Sequence, residues 1–216
     1  MRTTQSGHVA GLSSARGPTT PWDNKRAVSK SKELEQRLER SEQQLRLLQK
    51  ISRYMVRDIA LEEVLKGVVT LVVEFMACDS CLLYLLDDNE LVLRAANPPH
   101  PAIGKVKLAL TEGLTGWVAR ERRLLSISRE AYHDPRFKFF SDLPEDTFEA
   151  FLSAPILSRQ RVEGVINVQH RNPHPHTGIE MELLTTIGEQ VGTLVTLSGA
   201  QRPQLVGSAP GRRTID

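Results

Sequence analysis

Cysteine is nearly missing from this chain: 216 residues hold two, Cys78 and Cys81, both in "CDSC". That scarcity excludes a disulfide-built secreted scaffold. A C-x-x-C pair can be redox-active or half of a metal site, but no second cysteine pair completes a zinc centre. The stretch runs on as "CLLYLLDD", which reads as a strand, so the two thiols are expected to be structural. His133, His170, His174 and His176 offer ring nitrogens, yet nothing in their spacing selects a ligand set, and no metal is expected. Excess charge is also missing. The formal net charge is +2, which gives no argument for a nucleic-acid partner, and Arg120, Arg122 and Arg123 read as a basic solvent face. Long apolar runs are absent as well. The longest, around residues 68 to 77, contains a glutamate and falls far short of a membrane span. The first residues, "MRTTQSGHVAGLSSARGPTTPWDNKR", have no apolar core and do not read as a secretory signal. A cytoplasmic protein without membrane or nucleic-acid contacts is the expectation.

The order that is present begins after a Ser-, Thr-, Gly- and Pro-rich tail, residues 1 to 29, expected to be disordered. Residues 30 to 56 contain no Gly or Pro and consist almost wholly of strong helix formers. Leu34, Leu38, Leu45, Leu48 and Met55 form a narrow seam if Ser41 and Ser52 are weak positions. Glu33 with Arg37, and Glu42 with Arg46, make favourable i,i+4 pairs. The pattern predicts a two-stranded coiled coil; a lone helix lying across the domain is the plainer alternative. Asp58 reads as the cap of a second helix, whose stripe includes Leu61, Val64, Leu65, Val68, Val69, Val72, Val73 and Met76.

"CLLYLLDDNELVLRAAN" predicts a hairpin turning at Asp87-Asp88-Asn89. "NPPHPAIG" is loop, because three prolines cannot sit in a sheet interior. "KVKLAL" alternates as a strand. "TEGLTGWVARERRLL" predicts a short helix over residues 115 to 122, with Gly113 permitting the turn, Thr115 as cap, and Trp117, Val118 and Leu114 facing inward. After the strand "LLSIS" comes a long polar and aromatic segment, residues 129 to 150, of a length that is usually functional. Two further strands follow, joined by a turn at Gln160 to Val162. The last helix carries Met181, Leu184, Ile187, Val191 and Leu194 on one face, and residues 199 to 216 read as a second disordered tail.

That order lacks the strict alternation of a doubly wound nucleotide-binding fold. It predicts an α+β domain: a largely antiparallel sheet of five or six strands backed by N- and C-terminal helices. The short helix and the 129–150 segment then cover the opposite face, with a pocket beneath them. The glycines of "EGLTGW" are no P-loop, since no Gly-Lys-Ser/Thr follows.

Taken together, "EGLTGWVARERRLLSI", "YHDPRF", "FLSAPILSRQRVEGVINVQHR" and "IEMELLTTIGEQVGTLV" resemble the GAF domain, a small sensory and dimerisation module, over about residues 50 to 198. The resemblance implies that Gly113, Gly116, Trp117, Asp134, Arg136, Phe137, Ala154 and Pro155 surround the pocket. Leu114, Thr115, Trp117, Asp134, Arg136, Phe137 and Ala154 are the expected ligand-binding residues. The leading helix resembles the signalling helices that couple paired GAF domains to kinases, phosphodiesterases or transcriptional outputs. Departures narrow the choice. The Asn-Lys…Phe-Asp-Glu signature of many cyclic-nucleotide binders is missing, and Glu130 is the nearest acid to the position after "SIS" where many relatives carry Asp. The later cysteines of free-methionine sulfoxide reductases and of bilin-binding members are missing too.

Plainer readings stand beside each of these residues: helix packing for the two glycines, a core aromatic for Trp117, and a local pair for Asp134 and Arg136. No nucleophile-and-base set or fixed carboxylate pair is visible, so no catalytic residue is assigned and no enzyme is expected. The expected function is a regulatory sensor that binds a small molecule or a signalling protein and acts as a homodimer. The alternative is a GAF module for structure or protein interaction, with no ligand. No cofactor can be named.

Overall fold

A computed structural model describes residues 21–56, 59–138 and 148–200. Residues 1–20 and 201–216 of the two tails, Asp58, and residues 139–147 of the long segment lie outside them, whereas 21–29 and 199–200, expected to belong to disordered tails, are helical. The described residues fall into two units, divided between Gln43 and Gln44. Helix α1 (Pro21–Met55) runs through the division and starts nine residues earlier than its composition alone indicates. Proline suits a first turn, where its missing N–H has no intrahelical acceptor to serve. In the first unit Leu34 and Leu38 are 56% and 62% exposed, and Glu33 pairs with Arg37 at 2.9 Å.

In the second unit α1 ends against its own domain. Leu47 and Ile51 are buried and Leu48 packs beside them, whereas Leu45 is 58% exposed. The anticipated seam therefore gives up Leu48 to the domain, and the deepest α1 contacts come from two residues outside it.

Next in order are α2 (Leu61–Met76), β1 (Ser80–Asp87), β2 (Glu90–Asn97), β3 (Lys107–Ala109), α3 (Gly113–Glu121), β4 (Leu125–Ile127), a 3₁₀ turn (Ala131–His133), β5 (Ala150–Ser158), β6 (Arg161–His170) and α4 (Gly178–Ala200). The strands form one six-stranded sheet in the order β3-β2-β1-β6-β5-β4, with every neighbouring pair antiparallel. The β1–β2 turn is Asp88-Asn89, both at positive φ, 45° and 73°. These are the side chains that tolerate the left-handed region a two-residue hairpin needs. The β5–β6 turn is Arg159-Gln160, at φ 47° and 65°. It lies just before the position read from sequence, because neither residue announces a left-handed turn.

Both faces of the sheet are covered. On one, Leu83, Leu85, Ala154, Ile156, Ile166 and Val168 pack against α2, α4 and the end of α1. On the other, Tyr84, Leu91, Leu93, Phe151 and Val165 pack against Leu114 and Val118 of α3. This accounts for the strand composition, since a strand buried on both sides reads as a continuous apolar run rather than an alternation. Among the described residues no helix is long and apolar enough to cross a membrane.

Candidate functional site

The α3 face of the sheet is built around two glycines. Gly113 opens α3 at φ +66°, in the region that favours a residue without Cβ. At Gly116 a Cβ would stand 2.7 Å from the Ala109 carbonyl oxygen and 2.9 Å from that of Leu110. The helix therefore lies directly on the backbone that follows β3. Its N-cap is Glu112, with no side-chain cap bond to the helix. Instead Glu112 accepts from the Ala109 N–H at 3.1 Å and pairs with Lys138. That cation and its hydrogen bond hold the Glu112 carboxyl below its ordinary range.

Thr115 sits one turn too deep to cap the helix. It is buried, and its Oγ1 accepts from Asn167 Nδ2 at 2.8 Å. Asn167 Oδ1 in turn accepts from Ser153 Oγ at 2.6 Å. Ser153 and Asn167 are direct cross-strand partners of β5 and β6, so three elements share one buried polar chain with its donors and acceptors matched. A satisfied network of this kind fixes relative position, because each group would be costly to leave unpaired.

The described part of the segment after β4, up to Lys138, packs beside α3. Glu149 anchors its start, accepting from the Glu130 N–H at 2.9 Å and from Tyr132 Oη at 3.0 Å. Asp134 then clasps Arg136 three times: from the backbone N–H at 2.9 Å, from Nε at 2.8 Å and from Nη2 at 2.6 Å. These bonds, led by the side-chain pair, hold the Asp134 carboxyl below its usual value. They also raise the Arg136 pKa further, so it stays cationic. The guanidinium lies 4.5 Å from the centre of the Trp117 ring, a cation–π contact. Phe137 packs on the edge of the same core.

A GAF-domain family model matches residues 60–195. The chain belongs to the GAF domain family. Over 141 residues it is 28% identical to a curated Escherichia coli K12 protein, "Phosphoenolpyruvate-dependent phosphotransferase system", with 64% of this chain and 19% of that protein aligned. The chain thus spans about one fifth of the length of that relative. Two solved structures are similar. The GAF domain of an Acinetobacter phosphoenolpyruvate-protein phosphotransferase is 28% identical at a TM-score of 0.65, covering 73% of this chain and 95% of that one. The GAF domain of a Coxiella burnetii phosphoenolpyruvate-protein phosphotransferase is 26% identical at a TM-score of 0.69, covering 74% and 96%.

As a GAF domain it is a regulatory, non-catalytic module. A Ser126–His176 contact of 3.0 Å uses the ring's Nδ1, and His176 Nε2 has no partner. Among the described residues no carboxylate is hydrogen-bonded to that ring to orient it toward activating the hydroxyl. The residues expected around the GAF pocket do not all converge. Trp117, Asp134, Arg136 and Phe137 come together above Leu114 and Thr115, but Ala154 points to the other face and belongs to the α2–α4 core. Ser153, one residue earlier, stands where Ala154 was expected. The polar residues missed in the sequence carried a signal: Ser153 in "FLSAPI" and Asn167 in "GVINVQ" interrupt apolar strands at positions directly opposite one another. Cys78 and Cys81 are buried on the helix side of the sheet. Burial pushes the Cys78 thiol up to about 12 and that of Cys81 well above its usual value.

Proposed function

We propose that this GAF domain is a regulatory module that works through protein contacts and keeps its α3 face closed with its own side chains. Arg136 carries the reading. The cation expected to meet a ligand is already neutralised by Asp134 and stacked on Trp117. The polar groups beneath it, Thr115, Ser153 and Asn167, satisfy one another. A recognition site instead keeps a few convergent polar groups available to the ligand.

The contact surface proposed is the leucine seam read from the sequence of α1, of which Leu34 and Leu38 are exposed in the first unit and Leu45 in the second; the occupant is the same seam of a second copy. The relatives place GAF domains in phosphoenolpyruvate-dependent phosphotransferases, and by that likeness the process regulated is phosphoryl transfer of that kind. A small-molecule sensor is the second reading. It is favoured by the partial exposure of Trp117 and Arg136, which an incoming anion could reach by displacing Asp134.

Native mass spectrometry at micromolar concentration tests both readings at once. The expected spectrum is a homodimer with no stoichiometric small-molecule adduct, reduced to monomer in the full chain carrying Leu38→Glu and Leu45→Glu. A copurifying adduct lost in Arg136→Ala would give the site to the sensor reading. A monomeric wild type would remove the α1 interface.

A further inference from the structure

The turn between β6 and α4 gathers three histidines that sequence spacing alone did not select. His170 ends β6, and "RNPHPH" brings His174 and His176 back beside it. The ring of His174 stacks on that of His170 at 4.0 Å and meets that of His176 edge-on at 5.0 Å. One nitrogen from each ring lies within 4.8 Å of the other two. His170 and His176 are 5% and 7% exposed, and each holds a buried Nε2 with no hydrogen-bond partner among the described residues. Two orphaned ring nitrogens facing a third imidazole are an unusual arrangement, because buried polar groups are normally paired.

We propose that His170, His174 and His176 form a binding site for one divalent transition-metal ion of the Zn²⁺ type. Imidazole nitrogen is a preferred donor for that class, and three such donors leave a fourth position for water or a carboxylate. Outer partners are already in place. His176 contacts Ser126 Oγ through Nδ1 at 3.0 Å, which leaves its Nε2 lone pair available when Nδ1 carries the proton. Glu180 Oε1 lies 2.9 Å from His174 Nε2, so Nδ1 is the free donor of that ring. A carboxylate or hydroxyl holding the far nitrogen is the usual support of a metal-bound imidazole. Glu180 is itself fixed by a reciprocal cap, accepting from the Thr177 N–H at 2.6 Å while its own N–H donates to Thr177 Oγ1 at 3.2 Å.

Three nitrogens around tetrahedral zinc stand roughly 3.3 Å apart, so the site must contract by about 1.5 Å. The parallel His170 and His174 rings cannot aim in-plane lone pairs at one point, so His174 must also turn about its side-chain torsions, and the Glu180 carboxylate must follow its Nε2 or release it. It is half-buried on the connecting turn, the least confined of the three.

The test uses the full chain without a polyhistidine tag, stripped with chelator and titrated with Zn²⁺ by calorimetry and with Co²⁺ by visible absorption. We expect one equivalent bound, intense Co²⁺ bands of tetrahedral type, and a rise in thermal midpoint on Zn²⁺ addition but not on Mg²⁺. His174→Gln, at the most tolerant position, should weaken Zn²⁺ binding at least about tenfold, as losing a ligand or its support does; His176→Gln should do the same if folded by circular dichroism. His100→Gln and His133→Gln should leave it unchanged. Absence of bands and of binding heat at about 100 μM metal, well above the range of a built three-histidine site, would overturn the proposal. Binding that survives His174→Gln at full strength would overturn it too.

Discussion

Replacing Asn167 by alanine separates a structural role for the buried polar chain from a recognition role. Asn167 is 1% exposed and makes both bonds of the chain, at 2.6 Å and 2.8 Å. The substitution strands the Ser153 hydroxyl and the Thr115 oxygen away from water, at about 1–3 kcal/mol each. Local relaxation and a water entering the gap offset part of this. We expect a net loss of about 3 kcal/mol, or about 6–12 °C in thermal midpoint for a domain of this size. Thr115→Val strands only the Asn167 amide and should cost about 1–2 kcal/mol. In the Asn167→Ala background the same change should cost nothing or recover part of the loss, because it removes an oxygen already stranded, giving a coupling of about 1 kcal/mol or more. Urea unfolding of the four proteins measures all of this. A loss under about 1 kcal/mol for Asn167→Ala, or additivity within about 0.5 kcal/mol, would refute the argument. The polar groups would then have to be read as held for a ligand.

Gly116→Ala gains helix propensity of about 1 kcal/mol but drives a Cβ into the Ala109 and Leu110 carbonyls; it should destabilise by about 1–3 kcal/mol overall, and a stabilised variant in urea would contradict the close approach. Cys78 and Cys81 should react with a thiol reagent such as DTNB far more slowly in the native protein than in denaturant, because burial keeps both protonated at neutral pH; fast native reaction would return them to a redox role. Asp134 has its folded pKa lowered chiefly by the Arg136 bond. Its contribution is therefore complete above its unfolded pKa of about 3.9 and is lost as pH falls through the lower folded value. The stability gap between wild type and Asp134→Asn should shrink below about pH 4, and a gap that stays constant with pH would show the bond contributes nothing.

Local signals carried much of the architecture. The Asp88-Asn89 turn was legible because it needs left-handed residues and has them, and α2 and α4 because their apolar stripes face one core. The GAF motifs located α3 and the Asp134–Phe137 segment. Three features depended on long-range geometry instead. Leu47 and Ile51 looked like bystanders beside a leucine seam, since only the folded domain shows which side of α1 meets it. Asn167 is one polar letter in an apolar strand until Ser153 faces it across the ladder. The histidines follow no ligand spacing, because a turn with two prolines brings them together and the helix cap at Thr177 and Glu180 holds that turn in place. Ala154 was displaced to the wrong face by one residue, the smallest error a period of two permits.

Burial on both faces also bears on how the strands find their alignment. In a half-solvated sheet a one-residue slip is punished at once, because apolar side chains turn to water. Here a slip between β5 and β6 would exchange one apolar environment for another, and hydrophobicity alone would barely register the mistake. The Ser153–Asn167 rung is where it would show: the polar side chain of the displaced strand would enter the leucine- and valine-lined layer beneath α2 and α4 with nothing to bond, and its former partner would lose the bond across the ladder. The few polar atoms in this core thus act as a proofreading mark for strand alignment, and a redesign that replaced them with well-packed aliphatic residues would trade fidelity of pairing for stability.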